Sequence, residues 1–482
     1  MDARTGRTAL VVSLAIVAGI VLATVTFALV SVRRFRMDPQ QYLVGGRSFG
    51  TAFLWVLMAG EIYTSFTFLG MAGWTYSLGA PAYYILAYGT CGFIIGYFLL
   101  PAVWQVAKDR NLLTGADFFA DRYSSRALGI GVAAMQFITI VPYVTLQLSG
   151  LQTLLHLAGF GRIDGIAAAC VAFLVIAGFV FTAGLRGTAW ASLIKDALVL
   201  AAVTFAGIFI PIRFFGSPAG AIERVLATHP HLLTLPPLTA PHGGIWYVTT
   251  VLLTSIGFFM GPHTMNAVYS ARSGEALRRN AALLPIYQLL LLLVLFAGLT
   301  AIVLVPGLTG AQVDQSFVLV VAHYYPPWVL GCVVGAGALA ALVPASAILL
   351  GAAGTFAKNV LGAFGIATAD AARVRATRIS VAAIAVAALI FWLTEQRTLV
   401  ELLLIYYNAV TQLMPGMVAA FLWPRATAWG VAAGISAGLI LALILSQLGI
   451  APRGINAGFL GLLVNVAVLV AVSLATPRRV TV

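Results

Sequence analysis

Four ionisable side chains interrupt long apolar stretches of this chain: Glu61, Lys195, Asp196 and His263. Each costs roughly 2.5–3.5 kcal/mol to hold at mid-membrane, so residues of this kind mark ion, proton or solute handling. Around the first the chain reads Ala59-Gly60-Glu61-Ile62-Tyr63-Thr64-Ser65-Phe66-Thr67. Around the last it reads Gly257-Phe258-Phe259-Met260-Gly261-Pro262-His263-Thr264-Met265-Asn266. Both stretches set glycine, or glycine and proline, beside hydroxyls and an ionisable group in mid-run. A helix broken there frees backbone carbonyls and amides, which lipid tolerates only where they line a cavity or bind an ion. The plainer reading is a proline kink beside a satisfied polar side chain. Two such segments, five apolar runs apart, argue against it.

The elements that must position these residues are apolar helices. Of 482 residues, 61% are hydrophobic and 9% charged, with mean hydropathy +1.01. A soluble chain carries about 25% charged residues, so this one lacks the means to cover itself with a solvated surface. The longest polar stretch, Gly216 to Gly243, is too short and too rich in Pro and His to fold alone. Runs long enough to cross a hydrocarbon core, about 20 residues, fall near 9–32, 51–77, 81–106, 127–157, 163–184, 187–215 and 244–270. Others fall near 281–305, 327–357, 377–394, 398–423, 426–448 and 455–475. Lipid offers the backbone no partner, so all are expected to be helical. The expectation is an all-α polytopic membrane protein of about thirteen spans.

A net charge of +13 and a pI near 10 would suggest nucleic acid in a soluble protein. Here most basic residues, Lys195 inside an apolar run excepted, sit in short loops between apolar runs and set topology instead. One set of loops, which includes Arg33, Arg34, Arg36, Arg478 and Arg479, holds 19 of them; the other holds 7. That asymmetry puts the N-terminus outside and the C-terminus in the cytoplasm, and no nucleic-acid partner is expected. The first run, Ala9 to Val30, exceeds a signal-peptide h-region and no A-x-A site follows, so it reads as a retained span. Cys91, Cys170 and Cys332 show no metal-ligand spacing and read as small packing residues. No metal site is evident, and no organic cofactor is expected.

Corresponding interruptions in two five-helix halves point to an inverted-repeat transporter. The halves would be residues 51–215 and 244–425, together a core over 51–425. Residues 1–50 would add a first helix and cytoplasmic loop, and 426–482 two accessory helices. No residue-level identity between the halves supports this; it rests on topology.

Further residues carry a family resemblance. Tyr42-Leu43-Val44-Gly45-Gly46-Arg47-Ser48, followed by a span ending Leu69-Gly70-Met71-Ala72-Gly73-Trp74-Thr75-Tyr76, resembles the sodium:solute symporter family. Gly184-Leu185-Arg186-Gly187 with Trp190 is similar to its G-L-R-x-x-x-W segment, and Ala267 to Arg279 and Gly337 to Asn359 resemble its cytoplasmic loop and ninth span. The resemblance implies the leucine-transporter (LeuT-like) 5+5 fold, with substrate and cation between two broken helices. Residues 59–67 followed by Gly79-Ala80-Pro81-Ala82-Tyr83-Tyr84 are similar to the monocarboxylate-permease branch, which implies a small acid as solute. An amino acid or other small polar solute is the alternative.

The resemblance implies a sodium site of backbone carbonyls, mapping to Gly60, Tyr63 and Ala341, plus two adjacent hydroxyls on the ninth span. Those two positions are Pro344 and Ala345, which supply no side-chain oxygen; Ser346 follows but would point elsewhere on the helix. The family's aspartate near the start of the sixth span maps to Ser192, with Lys195 one turn deeper. An ammonium reaching the same carbonyls would supply the missing charge, and a desolvated lysine can load and release a proton. The coupling ion is therefore H+ or Na+. In the proton case Lys195 is the carrier, with Asp196 or Glu61 tuning it; otherwise Lys195 and Asp196 anchor the helix at a cytoplasmic vestibule. Glu61 itself either titrates, or holds the broken helix open by accepting hydrogen bonds, or pairs elsewhere.

In this fold spans two, four, seven and eleven line the solute pocket. Its candidate contacts are Tyr63, Thr64, Thr67, Tyr143 and Gln147, then Phe258, His263 and Asn266, then Tyr407, Asn408 and Gln412. Any one of these amides could equally be an interhelical hydrogen bond. A solute carboxylate could sit on free amides at a half-helix N-terminus. A monoanion carried with one cation is electroneutral. A neutral solute would also gain about 2.3 kcal/mol per 100 mV, beyond the roughly 1.4 kcal/mol of a tenfold ion gradient.

An enzyme would need H-E-x-x-H, G-x-S-x-G or paired intramembrane aspartates, none of which occurs. A channel would show a repeated pore loop or charged rings. A transporter-like sensor would carry a signalling domain, and only six residues follow Thr476. The expectation is a secondary transporter: a multi-pass protein of the cell membrane, with the bilayer and a small solute as partners and an unknown oligomeric state.

Overall fold

A computed structural model describes residues 3–33, 39–395 and 397–477. Arg34, Arg36, Arg478 and Arg479, used above for topology, lie outside the described residues. The architecture is helical throughout. Among the described residues the one β-type pairing is an isolated bridge between Phe49 and Ala271.

Up to residue 204 the helices referred to below are α1 (Ala3–Val32), α2 (Thr51–Gly60), α3 (Met71–Leu78), α4 (Tyr84–Asp109), α5 (Gly115–Arg122), α6 (Arg126–Thr139), α7 (Val141–Ala158) and α8 (Gly165–Thr204). From residue 244 they are α9 (Gly244–Gly257), α10 (Pro262–Ser270), α11 (Gly274–Gln288), α12 (Leu292–Leu304), α13 (Ser316–Tyr324), α14 (Pro327–Phe356), α15 (Asp370–Thr394), α16 (Leu399–Val410) and α17 (Met414–Leu422). Then come α18 (Ala428–Leu448) and α19 (Ala457–Ala475).

Among the described residues ten helices are long and apolar enough to cross a membrane in one piece, and α9 with α10, bent by 49°, make an eleventh if counted as one span. The second and fifth apolar runs are occupied by the shorter apolar helices Thr51–Gly60 and Gly165–Phe181. The fifth and sixth runs join through one non-helical residue, Gly184 (φ 59, ψ −178). Positive φ is open to glycine without a Cβ clash, so a single residue makes the turn.

Helix starts are capped where the chain leaves the apolar runs. The Asp164 carboxylate accepts from Ile166 and Ala167 N–H at the head of α8. Thr398 and Glu401 form a reciprocal capping box at the head of α16. Such caps satisfy amides that have no partner within the helix.

Helix α14 is the axis of the fold. It is buried along nearly its whole length, packing on α1, α7, α8, α10 and α15. Its glycines and alanines allow this, since small residues let backbones approach closely. At Gly351 a Cβ would lie 2.6 Å from the backbone nitrogen of His263, so α14 and the start of α10 are in backbone contact. Helices α18 and α19 pack mostly on each other and reach the core through α9 and α16. The three cysteines are exposed on the perimeter, which corrects their reading as packing residues. Apolar side chains facing lipid and core look alike in sequence.

Candidate functional site

The two helix breaks meet where Glu61 approaches His263. Helix α2 stops at Gly60, Glu61 caps it, and a π-helical turn over Phe66–Gly70 leads into α3. The gap is held by its own hydroxyls. Thr67 Oγ1 donates to Ile62 O (2.7 Å) and accepts from Thr64 N–H (2.9 Å), while Thr64 Oγ1 accepts from Phe66 N–H (3.2 Å). Thr64 and Thr67, expected to contact solute, are thus engaged in shaping the break. Gln147 Oε1 accepts from Ser65 N–H at 3.3 Å, and its buried Nε2 has no partner among the described residues.

Lys195 crosses from α8 to this break. Its fully buried ammonium donates to the carbonyl of Gly60 and, at 3.0 Å, to that of Tyr63. Asp196 Oδ1 lies 2.8 Å from the same nitrogen. One turn back, Ser192 Oγ donates to Thr188 O (3.0 Å) and lies against Gly60, where a Cβ would approach it to 2.7 Å. Two carbonyls that resemble sodium ligands therefore face a covalently attached cation.

The ninth-span residues are set back from that contact. Ser346 Oγ donates to Val343 O and lies 2.7 Å from Thr188 Oγ1, so its hydroxyl faces α8 one turn away from Ser192. Ala341 is buried within α14. Pro344 has no N–H, so it removes the helix partner of Ala340 O; the partner of Ala341 O, the amide of Ala345, remains.

Glu61 faces the second break. Its Oε2 lies 3.6 Å from Nε2 of His263, at the start of α10. Glu61 Oε1, His263 Nδ1, Asn266 Oδ1 and the Tyr406 hydroxyl are buried without a partner among the described residues. The Tyr143 ring stands edge-on to His263 (5.6 Å between centroids) and packs on Tyr406 (4.9 Å). Tyr407 and Phe258 both pack on Tyr88, at 5.7 and 5.9 Å. Tyr63 stands on Tyr287 at 5.2 Å, its hydroxyl unpartnered among the described residues. Sequence reasoning passed over Tyr88, Tyr287 and Tyr406. The available signal was weak, since tyrosines occur throughout the apolar runs.

Two expected solute contacts are elsewhere. Asn408 Nδ2 donates to Ser446 Oγ on α18 (2.8 Å), and Gln412 Nε2 donates to Asn408 O and Gly458 O (both 3.1 Å). Asn465 Nδ2 in turn donates to Gln412 O (2.7 Å) and Oε1 (3.1 Å). These amides face α18 and α19 and bind the accessory helices to the core. The correction is one of helix rotation: each residue turns the side chain by about 100°, so Tyr406 and Tyr407 face the breaks and Asn408 does not.

What this arrangement offers chemically is a buried cation on a broken helix, next to an ionisable pair that spans two breaks in a tyrosine-lined centre. Known proteins share its architecture. A sialic acid symporter, Na+-coupled and solved in a substrate-bound outward-open state, superposes with TM-score 0.78 over 97% of this chain and 98% of that one, at 15% identity. A nucleobase-cation-symport-1 transporter, MHP1, gives TM-score 0.54 over 92% of this chain and 97% of its own at 13% identity. These likenesses establish the LeuT-like fold. In sequence, the chain is 39% identical to the uncharacterized symporter YhjB of Bacillus subtilis (strain 168) over 97% of each chain. It is 30% identical to a monocarboxylate transport permease protein of Rhizobium johnstonii, covering 90% of each. The profile of the sodium:solute symporter family matches residues 42–438. This multi-pass membrane protein, a cation-coupled carrier of a small solute and not an enzyme, belongs to the sodium:solute symporter family.

Proposed function

We propose that this protein is a proton-coupled symporter of small monocarboxylates, in which the Lys195 ammonium stands where related carriers hold sodium. The observation that carries the reading is the pair of bonds from Lys195 to the carbonyls of Gly60 and Tyr63. The missing hydroxyls at Pro344 and Ala345 support it. So does the name of the Rhizobium johnstonii relative, a monocarboxylate transport permease. Protonated, Lys195 ties the broken helix to α8 and offsets the charge of a bound carboxylate. Losing its proton on the cytoplasmic side weakens both bonds and frees the helix to move. A monoanion and one proton cross together without net charge, so a tenfold proton gradient supplies about 1.4 kcal/mol and the membrane potential nothing.

The same reading divides the chain into a transport core over 51–425, of halves 51–215 and 244–425, flanked by 1–50 and 426–482. It keeps the N-terminus outside and the C-terminus in the cytoplasm. In the pocket it retains Tyr63, Tyr143, Gln147, Phe258, His263, Asn266 and Tyr407, with Thr64 and Thr67 acting through the shape of the break. Proteoliposomes tested with labelled pyruvate and lactate should accumulate them in sodium-free buffer under an imposed pH gradient. Lys195→Ala should abolish that accumulation. Strict sodium dependence without proton movement would overturn the coupling assignment, and uptake of amino acids alone would overturn the solute.

A further inference from the structure

A groove of about 810 Å³ runs between α6 and α18, outside the transport site. One end is bounded by Arg122 and Arg126 with the hydroxyls of Ser124, Ser125 and Thr427; the rest is walled by apolar and small residues down to Met135 and Leu439. From Arg126 to Met135 the wall rises about 14 Å, at 1.5 Å per residue, comparable to one leaflet of the hydrocarbon core. Among the described residues no carboxylate lines it. The neighbouring cavity of about 570 Å³ differs, since Asp117 and Asp121 line it beside its basic residues.

The two arginines are held but not consumed. Arg122 donates to Ala420 O (2.5 Å) and lies over the Phe421 ring, and Arg126 donates to Ala363 O. A guanidinium carries five N–H donors, so each has several left to direct at an anion. Trp429, 73% exposed, stands at the same end, where an indole sits at the headgroup level of a bilayer. Cationic donors at one end and a long apolar trough below match a molecule that is anionic at its head and hydrocarbon beyond.

We propose that this groove is a binding site for an anionic phospholipid, its phosphate on Arg122 and Arg126 and an acyl chain between α6 and α18. A lipid there bridges the transport core to the first accessory helix. A zwitterionic lipid gains less, because its own cation opposes the arginines, and a free phosphate leaves the trough unfilled.

The test uses the full-length protein in phosphatidylcholine nanodiscs with added phosphatidylglycerol, reading retained lipid by native mass spectrometry. Phosphatidylglycerol should be retained in preference to phosphatidylcholine. With basic residues near a membrane surface worth about fivefold each, the pair Arg122→Gln and Arg126→Gln should cost about 25-fold in retention. Because those arginines also hold backbone carbonyls, Gly131→Leu supplies a second arm. A Cβ at Gly131 meets nothing within 4 Å, so a leucine has room to start into the groove, and it should lower retention while leaving the melting temperature unchanged. Equal retention of the two lipids, or retention unaffected by Gly131→Leu, would overturn the proposal. Full competition by inorganic phosphate would overturn it too, in favour of a soluble-anion site.

Discussion

Glu61 and His263 approach to 3.6 Å across the two helix breaks, one at the end of α2 and the other at the start of α10. Both are largely buried, and the carboxylate's second oxygen has no partner among the described residues. The pair is thus a side-chain contact between the two broken helices. Glu61→Gln keeps its shape and removes its charge. We expect this variant to retain solute uptake and to lose part of its pH dependence, whereas Glu61→Ala should lose uptake. Uptake across pH 5 to 8 checks this. A glutamine variant as inactive as the alanine one would assign the carboxylate a titrating role in every cycle.

Gly60 is where the lysine contact is sterically tightest. A Cβ there would stand 2.7 Å from Ser192 Oγ and 3.6 Å from Lys195 Nζ. Gly60→Ala should force Ser192 aside and loosen the ammonium from its carbonyls. Overpacking of this kind costs about 1–3 kcal/mol, which at the transport step corresponds to a fall in uptake of about 5- to 150-fold. Adding Ser192→Gly should recover much of it. Failure of the double variant to exceed the single one would show that the side chain of Ser192 is not the obstacle.

Gln412 holds α19 to the core through Gly458 and Asn465. Gln412→Leu should lower stability by about 1–2 kcal/mol, at the upper end for hydrogen bonds between membrane helices. The KM for the solute should stay as it was. A rise in KM with unchanged melting temperature would return Gln412 to the pocket.

Asp314 lies in the loop before α13 and accepts from Leu399 N–H at the head of α16 (2.8 Å). Burial, with repulsion from Glu401 and partly offset by the Leu399 bond, pushes its carboxyl up to about 7. Between its ordinary value near 4 and about 7, the folded chain holds a proton that the unfolded chain has released. The stability owed to this group is therefore full in acid and falls as pH rises through that window. Asp314→Asn should flatten the melting temperature across pH 4 to 7. An unchanged slope would place the titration elsewhere.

Much of this was legible in the sequence. Apolar run length located the helices, because lipid forces each run to satisfy its own backbone. Glycine and proline near Glu61 and His263 marked both breaks, because those residues end helices for local reasons. The departure at Pro344 and Ala345 drew attention to Lys195 for a chemical reason, the loss of oxygen ligands. Helix rotation was not legible: Asn408 is as polar as a pocket residue, and only packing against Ser446 and α19 shows which way it faces. Nor were Tyr88 and Tyr406, whose roles depend on contacts far apart in the chain.

The bridge between Phe49 and Ala271 has a mechanical meaning. Phe49 N–H donates to Ser270 O (3.0 Å) and Arg272 N–H donates to Phe49 O (2.9 Å), joining the chain entering α2 to the chain leaving α10. Two such bonds are worth about 2 kcal/mol net, so the ends of α2 and α10 that lie away from the breaks share a load path. Torque applied to one is delivered to the other until the joint parts, and the opening of this face acquires a threshold in place of a gradual yield.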